Sequence, residues 1–322
     1  MKKLVSTLFI ALGAAAAGSA AAQAPWPNQP VKIIVPWAAG GTVDMGGRLI
    51  GQKLADQTGQ PFVVENKPGG SSTIGMAQLV KSPADGHTLI AFESSYAMLP
   101  ALFSKLSFDH ANDLAPVGTI FQTPMVLVVP ASSQFKTAGE LIEYARKNPG
   151  KLNFGSGGIG STPHLSTEML QKEAGITMTH IPYKGAGEAL TALIGGNVDL
   201  LITAAPTAMT QTKGGRARAL AVTGAKRSTA FPDTPTFVEL GYPNYTVANW
   251  YGLAAPKGTP REVTDRIYGQ VVKALADPAV KERLAQTGAE PLDMNGEAFG
   301  RFVRQETQRW TEVSRIAGVK PE

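Results

Sequence analysis

The chain has 322 residues, of which 43% are hydrophobic and 17% charged, a balance that predicts a globular protein with a substantial core. It has no cysteine, which excludes thiol catalysis, cysteine-ligated metal, disulfide bonds and a cysteine-linked lipid anchor. Without the two lysines of the predicted signal peptide, 28 basic residues face 25 acidic ones, a net charge of +3. This charge is too small and too evenly spread to indicate nucleic acid binding.

The amino terminus has the pattern of a cleavable secretory signal peptide. Lys2 and Lys3 precede an apolar stretch at 4–12, and small residues follow as far as Ala22. We expect cleavage after Ala22, because the alternative site at Ala24 would leave Pro25 next to the cut bond in an unfavourable context. The predicted signal peptide is therefore 1–22, and the mature protein is expected in the periplasm.

After the signal peptide, apolar β-branched runs alternate with helical patterns along the chain. This alternation predicts βαβ units and a parallel sheet, in an α/β fold. Strands are predicted at 31–36, 62–65, 87–92, 125–129, 152–154, 177–181, 198–203, 217–223 and 250–255, and helices at 44–57, 72–81, 137–147, 163–174, 186–194, 260–276 and 297–316. The order of strand, glycine-rich loop and helix occurs at 31–57 and again at 152–174. Two lobes that each present one such loop would form a ligand cleft.

The first glycine-rich loop follows the strand at 31–36. Glycines allow backbone N–H groups to turn toward a ligand, and the start of the following helix adds a partial positive charge. The loop therefore predicts a site for a carboxylate or phosphate. We expect Asp44 to be the N-cap of the helix. The candidate ligand contacts here are Trp37, Ala38, Ala39, Gly40, Gly41 and Asp44.

The second loop has glycines at 155, 157 and 160, which fit the G-x-G-x-x-G pattern of dinucleotide sites. That pattern requires an acidic residue about 20 positions later, where this chain has His180 to Tyr183. A small anion is therefore the better ligand, and no cofactor is expected. The candidate contacts are Ser156, Gly157, Gly160, Ser161 and Thr162.

The sequence has no recognisable catalytic or metal-binding constellation, and we predict that the protein is not an enzyme. No serine lies in a G-x-S-x-G nucleophile elbow. Ser133 and Lys136 fit S-x-x-K but lack the companion motifs of that class. The four histidines are scattered without the i, i+4 spacing of a metal pair.

Eight motifs, in order, resemble the Bug family, the TctC-like solute receptors of tripartite tricarboxylate transporters. They are VPWAAGGTVD at 35–44, ENKPGG at 65–70, DGHTL at 85–89, GSGGIGS at 155–161, HIPYKG at 180–185, LAVT at 220–223, PDTPT at 232–236 and WYGLAAP at 250–256. The resemblance implies a type II periplasmic-binding-protein fold with two crossovers. One lobe would comprise 25–122 plus 249–322 and the other 123–248.

The resemblance also implies where the ligand binds and what the protein contacts. Backbone amides and waters from the two glycine loops would hold a ligand carboxylate. Further contacts would come from the segment after the strand at 89–92 and from Lys184, Gly185 and Ala186. The implied partner is a two-component inner-membrane permease, to which a monomeric receptor would dock transiently.

The chain departs from the family pattern at three places, namely Trp37, the segment Glu93, Ser94, Ser95 and Tyr96, and Thr203. An unpaired buried carboxylate at Glu93 would repel an anionic ligand. Three alternatives remain open: Glu93 points to solvent, accepts a hydrogen bond from a ligand ammonium or hydroxyl, or pairs with Lys184. Since Trp37 and Tyr96 could stack on a ring, we hypothesise a monocarboxylate or aromatic acid with a donor group rather than a tricarboxylate.

The predicted function is capture of a small carboxylate-bearing solute, an aromatic, amino or dicarboxylic acid, for a tripartite tricarboxylate-type transporter. A periplasmic sensor that presents the closed form to a signalling receptor is the alternative. A hydrolase or lyase on the same scaffold is the third reading.

Overall fold

The structure, a computed structural model, describes residues 26–37, 39–183 and 185–321. The predicted signal peptide, Ala38 and Lys184 lie outside the described residues.

The described residues alternate between strands and helices, as the sequence predicts for an α/β protein. The strands are β1 (Val31–Val35), β2 (Phe62–Asn66), β3 (Thr88–Glu93), β4 (Leu114–Pro130), β5 (Asn153–Ser156), β6 (Thr179–Pro182), β7 (Leu200–Ala204), β8 (Ala217–Val222), β9 (Ala248–Pro256) and β10 (Glu290–Pro291). The helices are α1 (Thr42–Thr58), α2 (Thr73–Val80), α3 (Leu99–Leu102), α4 (Ala138–Lys147), α5 (Thr162–Ala174), α6 (Ala186–Ile194), α7 (Ala205–Lys213), α8 (Arg261–Ala276), α9 (Pro278–Gln286) and α10 (Gly296–Ile316). Short 3₁₀ turns occupy Gly70–Ser72 and Ser94–Met98.

The strands pair in the order β2-β1-β3-β9-β4-β7-β5-β6, with β8 and β10 also paired to β4. On one side, β1 lies parallel to β2 and β3. On the other side, β5 lies parallel to β6 and β7. Antiparallel strands β9 and β4 join the two parallel sets. The predicted parallel sheet is thus confirmed within each set, whereas the whole sheet is mixed.

Strand β4 is the longest strand in the described chain and links the two parts of the sheet. Its first part, to Pro124, pairs with β9, and its second part, from Met125, pairs with β7 and β8. The sequence predicts a strand only at 125–129. The earlier part was missed because Pro116 and Gly118 interrupt the apolar pattern, and the register with β9 shifts at this place.

Both faces of the sheet are covered by helices. Side chains alternate across a strand, so that in β3 Ile90 and Phe92 face one core and Leu89 faces the other. The first core includes the buried Trp310 of α10, and the second includes residues of α1 and α8. A third core beside β7 and β8 includes residues of α6 and α7.

Three described helices are missing from the sequence prediction, namely α3, α7 and α9. Helix α3 has four residues, too few to show a period. Helix α7 buries only Ala205 and Ala208, so it has no apolar stripe of large side chains. Helix α9 begins with Pro278 after an N-cap, Asp277, whose carboxylate accepts the N–H of Ala279 at 2.8 Å. Across the described ranges, every helix is too short or too polar to span a membrane.

Candidate ligand-binding site

The first glycine loop connects β1 to α1. Helix α1 begins at Thr42, and Gly41 is its N-cap. The prediction that Asp44 is the N-cap is therefore wrong, because the helix starts two residues earlier and Asp44 lies in its first turn. Ala39, Gly40 and Gly41 are exposed. The start of α1 has no side-chain cap among the described residues, so the N-terminal end of this helix opens onto the exposed loop.

Asp44 is buried and holds the first loop in shape. Its carboxylate accepts the N–H of Gly40 at 3.0 Å, Nε of Arg48 at 3.0 Å and Nδ2 of Asn66 at 2.9 Å. Asn66 also donates to the carbonyl of Trp37 at 3.0 Å. Burial tends to raise the pKa of Asp44, but these hydrogen bonds outweigh it and hold the pKa below its ordinary value. The Asp44 carboxylate thus has a structural role, which it shares with Asn66.

The segment after β3 folds inward as a 3₁₀ turn. Glu93 is 8% exposed, Ser95 9% and Ser94 fully buried. The alternative that Glu93 points to solvent is therefore wrong. Burial raises the pKa of Glu93, although hydrogen bonds from Ser95, Ser94 and Asn249 act in the opposite direction.

Tyr96 belongs to this turn, and its side chain is buried in the core. Its ring stacks on the His110 ring with centroids 4.2 Å apart and meets the Phe92 ring edge-on at 5.2 Å. Its hydroxyl donates to the carbonyl of His110 at 2.5 Å. These contacts use the ring and the hydroxyl for packing, which does not support a role for Tyr96 in stacking on a ligand.

The second glycine loop connects β5 to α5, which begins at Thr162. Its N-cap is Ser161, whose hydroxyl accepts the N–H of His164 at 3.4 Å. The buried Ser156 hydroxyl contacts the backbone of Gly158 at 3.0 and 3.1 Å. The serines of this loop therefore hold its backbone, and the start of α5 lies beside the loop, as predicted.

Two stacked histidines support the second loop from below. The rings of His164 and His180 are 3.9 Å apart, and His180 stacks on Phe154 at 4.8 Å. Nδ1 of His164 accepts the N–H of Gly160 at 3.0 Å, and Nε2 of His180 is 2.6 Å from the Ser156 hydroxyl. Burial lowers the pKa of His164 to about 3 and that of His180 to about 4. Both imidazoles are thus neutral at neutral pH.

A chain of polar side chains joins the two helix starts. The Ser94 hydroxyl lies 3.3 Å from the hydroxyl of Thr162, the first residue of α5, and it donates to Oδ1 of Asn249. Nδ2 of Asn249 donates to the Tyr251 hydroxyl at 2.9 Å. That hydroxyl also interacts with the side chain of Thr42, the first residue of α1. Sequence reasoning missed Asn249 and Tyr251 because they lie in β9, far along the chain from either loop.

The remaining candidates lie in the part of the sheet formed by β5, β6 and β7. Gly157 is close to the start of α6, since a Cβ at Gly157 would be 3.1 Å from the amide nitrogen of Ala186 and 3.3 Å from the carbonyl carbon of Gly185. Thr203 of β7 is 2% exposed, and its hydroxyl has no hydrogen-bond partner among the described residues. The candidates Ala38 and Lys184 lie outside the described residues. The described residues contain no cluster of three metal-ligating side chains.

These features define a class of protein. The helices that follow the parallel strands β1 and β5 both have their first residues, Thr42 and Thr162, in one polar network, the arrangement expected of an α/β protein that binds a small anionic solute.

Comparison with known proteins identifies the family. The family described as "Tripartite tricarboxylate transporter family receptor", TctC, matches residues 47–319. The chain belongs to this family, whose members are periplasmic binding proteins and not enzymes. It is 34% identical to protein BugT of Bordetella pertussis over 322 residues, 99% of each chain. The predicted resemblance to the Bug and TctC receptors is therefore confirmed.

Two solved structures with bound carboxylates are similar. The R. palustris protein Rpa4515 with adipate is 36% identical, with a TM-score of 0.84, over 92% of this chain and 100% of that chain. MatC from Rhodopseudomonas palustris with bound malate is 30% identical, with a TM-score of 0.79, over 90% of this chain and 100% of that chain. The predicted fold, that of the periplasmic binding proteins, is confirmed.

Proposed function

We propose that this protein is a periplasmic receptor that captures a small dicarboxylate and delivers it to a tripartite tricarboxylate-type permease. The export step would use the predicted signal peptide at 1–22. In this proposal one lobe comprises 25–122 plus 249–322, the other comprises 123–248, and the ligand lies between them. The pairing of β4 first with β9 and then with β7 and β8 supports this division.

The observation that carries the proposal is the link between the two helix starts. Thr42 and Thr162, the first residues of α1 and α5, belong to one polar chain through Tyr251, Asn249 and Ser94. The amino-terminal end of a helix carries a partial positive charge and N–H groups without intrahelical partners. Two such ends at one place favour a ligand with two anionic groups.

Three observations favour an aliphatic dicarboxylate among the ligand types that the sequence left open. Two relatives of known structure hold adipate and malate. The Tyr96 ring is occupied by His110 and Phe92, so of the two aromatic residues expected to stack on a ligand ring only Trp37 remains. The third observation is that two helix starts are linked at one site, and two partial positive charges suit a ligand with two carboxylates better than a ligand with one.

The test is a thermal-shift and calorimetric titration of the mature protein after unfolding and refolding to remove carried-over ligand. Adipate and malate are compared with citrate, benzoate and glutamate. A ligand at a hundredfold excess over its Kd stabilises the native state by about 2.7 kcal/mol. We expect a dose-dependent shift with adipate or malate. A response to benzoate or citrate alone would overturn the dicarboxylate assignment, a response to glutamate alone would restrict it to dicarboxylates with an ammonium group, and no response to any carboxylate would overturn the proposed function.

A variant locates the binding event in the cleft. Gly157→Ala places a methyl group 3.1 Å from the amide nitrogen of Ala186 and so crowds the second glycine loop against the start of α6. We expect the Kd of the bound dicarboxylate to rise at least about tenfold, equivalent to 1.4 kcal/mol. Gly269→Ala in α8 is the matched control, because a Cβ there meets nothing within 4 Å.

A further inference from the structure

A buried carboxyl group lies at the place where the two helix starts are linked. Glu93 ends β3, is 8% exposed, and is followed by the fully buried Ser94 of the polar chain. An ionised carboxylate at this place would repel an anionic ligand and would itself lose its hydration. The described residues offer no compensating cation, since the interactions of Glu93 are with Ser94, Ser95 and Asn249.

The hydrogen-bond inventory around Ser94 shows how this group can be accommodated. The Ser94 hydroxyl has one proton to donate. It is hydrogen-bonded to Oδ1 of Asn249, and it also lies 3.2 Å from Oε2 of Glu93. On its other side, Nδ2 of Asn249 donates to the Tyr251 hydroxyl at 2.9 Å. With the Ser94 proton directed at Asn249, the Ser94 oxygen can accept the proton of a neutral Glu93, whereas an ionised Glu93 would compete with Asn249 for the Ser94 proton.

We propose that Glu93 is a neutral carboxylic acid at neutral pH, donating its proton to Ser94, and that this neutrality lets the cleft accept a ligand with two carboxylates. Glu93 is then a positioning residue. It supports Ser94 against Thr162 and Asn249 while adding no negative charge to the site. The ligand part of this inference rests on the proposed function.

The charges around Glu93 are consistent with a neutral acid. Burial raises its pKa. The titratable groups nearest the two helix starts and the Glu93 turn are Tyr251 of β9, Asp44 and Arg48 in the first two turns of α1, His164 in the first turn of α5 and Tyr96 of the turn itself. Asp44 and Arg48 pair with each other, and burial keeps His164 neutral. Lys184, the alternative partner, lies outside the described residues.

The first test needs no ligand. We compare infrared spectra of the mature wild-type protein and the Glu93→Gln variant in D₂O at pH 7, with the exposed Glu173→Gln as control. We expect the wild type to show the carbonyl band of a protonated carboxylic acid, with Glu93→Gln lacking it and Glu173→Gln retaining it. A change confined to the ionised carboxylate bands would overturn the proposal.

The second test measures the effect of ionisation on binding. The infrared band is titrated upward from pH 6 to find its midpoint, and the Kd of adipate and of malate is measured over the same range. Since only the neutral form is competent, the Kd should rise about tenfold for each pH unit above the midpoint. Glu93→Gln should show no such rise. The ligand part of the proposal would be overturned if the Kd did not change above the midpoint, or if the Kd of Glu93→Gln rose by the same amount.

The two tests separate the two inferences. If neither dicarboxylate binds, the dicarboxylate assignment fails, whereas the infrared band still decides whether Glu93 is protonated. If Glu93 instead forms an ion pair with Lys184, the wild type lacks the protonated band. Lys184→Met would then produce that band, which would contradict the proposal.

Discussion

Ser94 and Thr162 lie 68 residues apart in the chain, yet their hydroxyl oxygens are 3.3 Å apart. Ser94 follows β3, and Thr162 opens α5. This contact connects the two parts of the sheet that meet along β4. It also brings the start of α5 into the polar chain that reaches α1.

The contact between Ser94 and Thr162 should be measurable as a coupling energy. We expect Ser94→Ala and Thr162→Val each to lower the free energy of unfolding by about 1 kcal/mol, and the double variant to lower it by less than the sum. Urea denaturation measures all three. Thr311→Val is the control, because the exposed Thr311 hydroxyl donates to the Thr307 carbonyl of its own helix. Strict additivity would mean that the two hydroxyls do not interact.

Removal of the Asp44 charge should destabilise the first loop at neutral pH. Asp44→Asn weakens charge-assisted hydrogen bonds from Gly40 and Arg48, and we expect a loss of about 2 kcal/mol in the free energy of unfolding. The pKa of Asp44 in the folded protein is lowered from 3.8. The charge of Asp44 therefore contributes fully to the free energy of unfolding above pH 3.8, and this contribution is lost as the pH falls through the folded-state pKa.

The wild type and Asp44→Asn should therefore differ at pH 7 and converge at the acid end, which urea denaturation at several pH values tests. Asp56→Asn, at an exposed position of the same helix, should change stability by only a few tenths of a kcal/mol. A difference that persists unchanged to low pH would assign the effect of Asp44→Asn to packing and not to charge.

Both glycine loops could be predicted from the sequence because their signals are local. Glycines, short hydroxyl side chains and a following apolar period lie within about ten residues of each other in each loop. The residues that hold the loops were not predictable in this way. Asn66 reaches Asp44 from β2, and His180 reaches Ser156 from β6, contacts set by the sheet and not by neighbours in sequence.

The errors in the prediction have specific physical causes. Asp44 was assigned as an N-cap from its residue type, whereas the helix begins earlier, and the carboxylate reaches back to Gly40 from the first turn. Tyr96 was a candidate for stacking on a ligand ring, but a histidine 14 residues later stacks on it in the core. In both cases tertiary contacts decide which way the side chain points.

The stacked histidines should make stability depend on pH in the mildly acidic range. Both are neutral in the folded state, with pKa values of about 3 for His164 and about 4 for His180 against 6.5 when unfolded. The unfolded state therefore takes up protons first as the pH falls below 6.5, and stability falls with it. Protonation of His164 in the unfolded state should lower the free energy of unfolding by about 2 kcal/mol between pH 7 and pH 5. The part-exposed His180 should lower it by less.

The double variant His164→Asn with His180→Gln tests the origin of this loss. Asn can still accept the N–H of Gly160, and Gln can still contact the Ser156 hydroxyl, but neither titrates. We expect the variant to have a much flatter stability profile between pH 7 and pH 5 in urea denaturation. An unchanged slope would place the pH dependence on other groups.

Gly160 should resist substitution for two reasons that can be separated. Its φ of +73° lies in the left-handed region, and a Cβ built there would overlap Leu102 at the end of α3, with Cδ1 at 2.8 Å. Gly150 has a φ of +72° but open space around it, so Gly150→Ala measures the backbone cost alone, about 1 kcal/mol. Gly160→Ala should cost about 3 kcal/mol, the excess arising from the overlap.

A double-mutant cycle compares the free energy of unfolding of the double variant Gly160→Ala with Leu102→Ala to that of Leu102→Ala alone. Because Leu102→Ala removes the overlap, we expect this difference to equal the backbone cost alone. Leu102 precedes β4, whereas Gly160 belongs to the second loop, so the overlap arises only where these two parts of the chain meet. Recovery would show that they also meet in solution without ligand. If Gly160→Ala costs no more than Gly150→Ala, the two parts lie farther apart in the free protein.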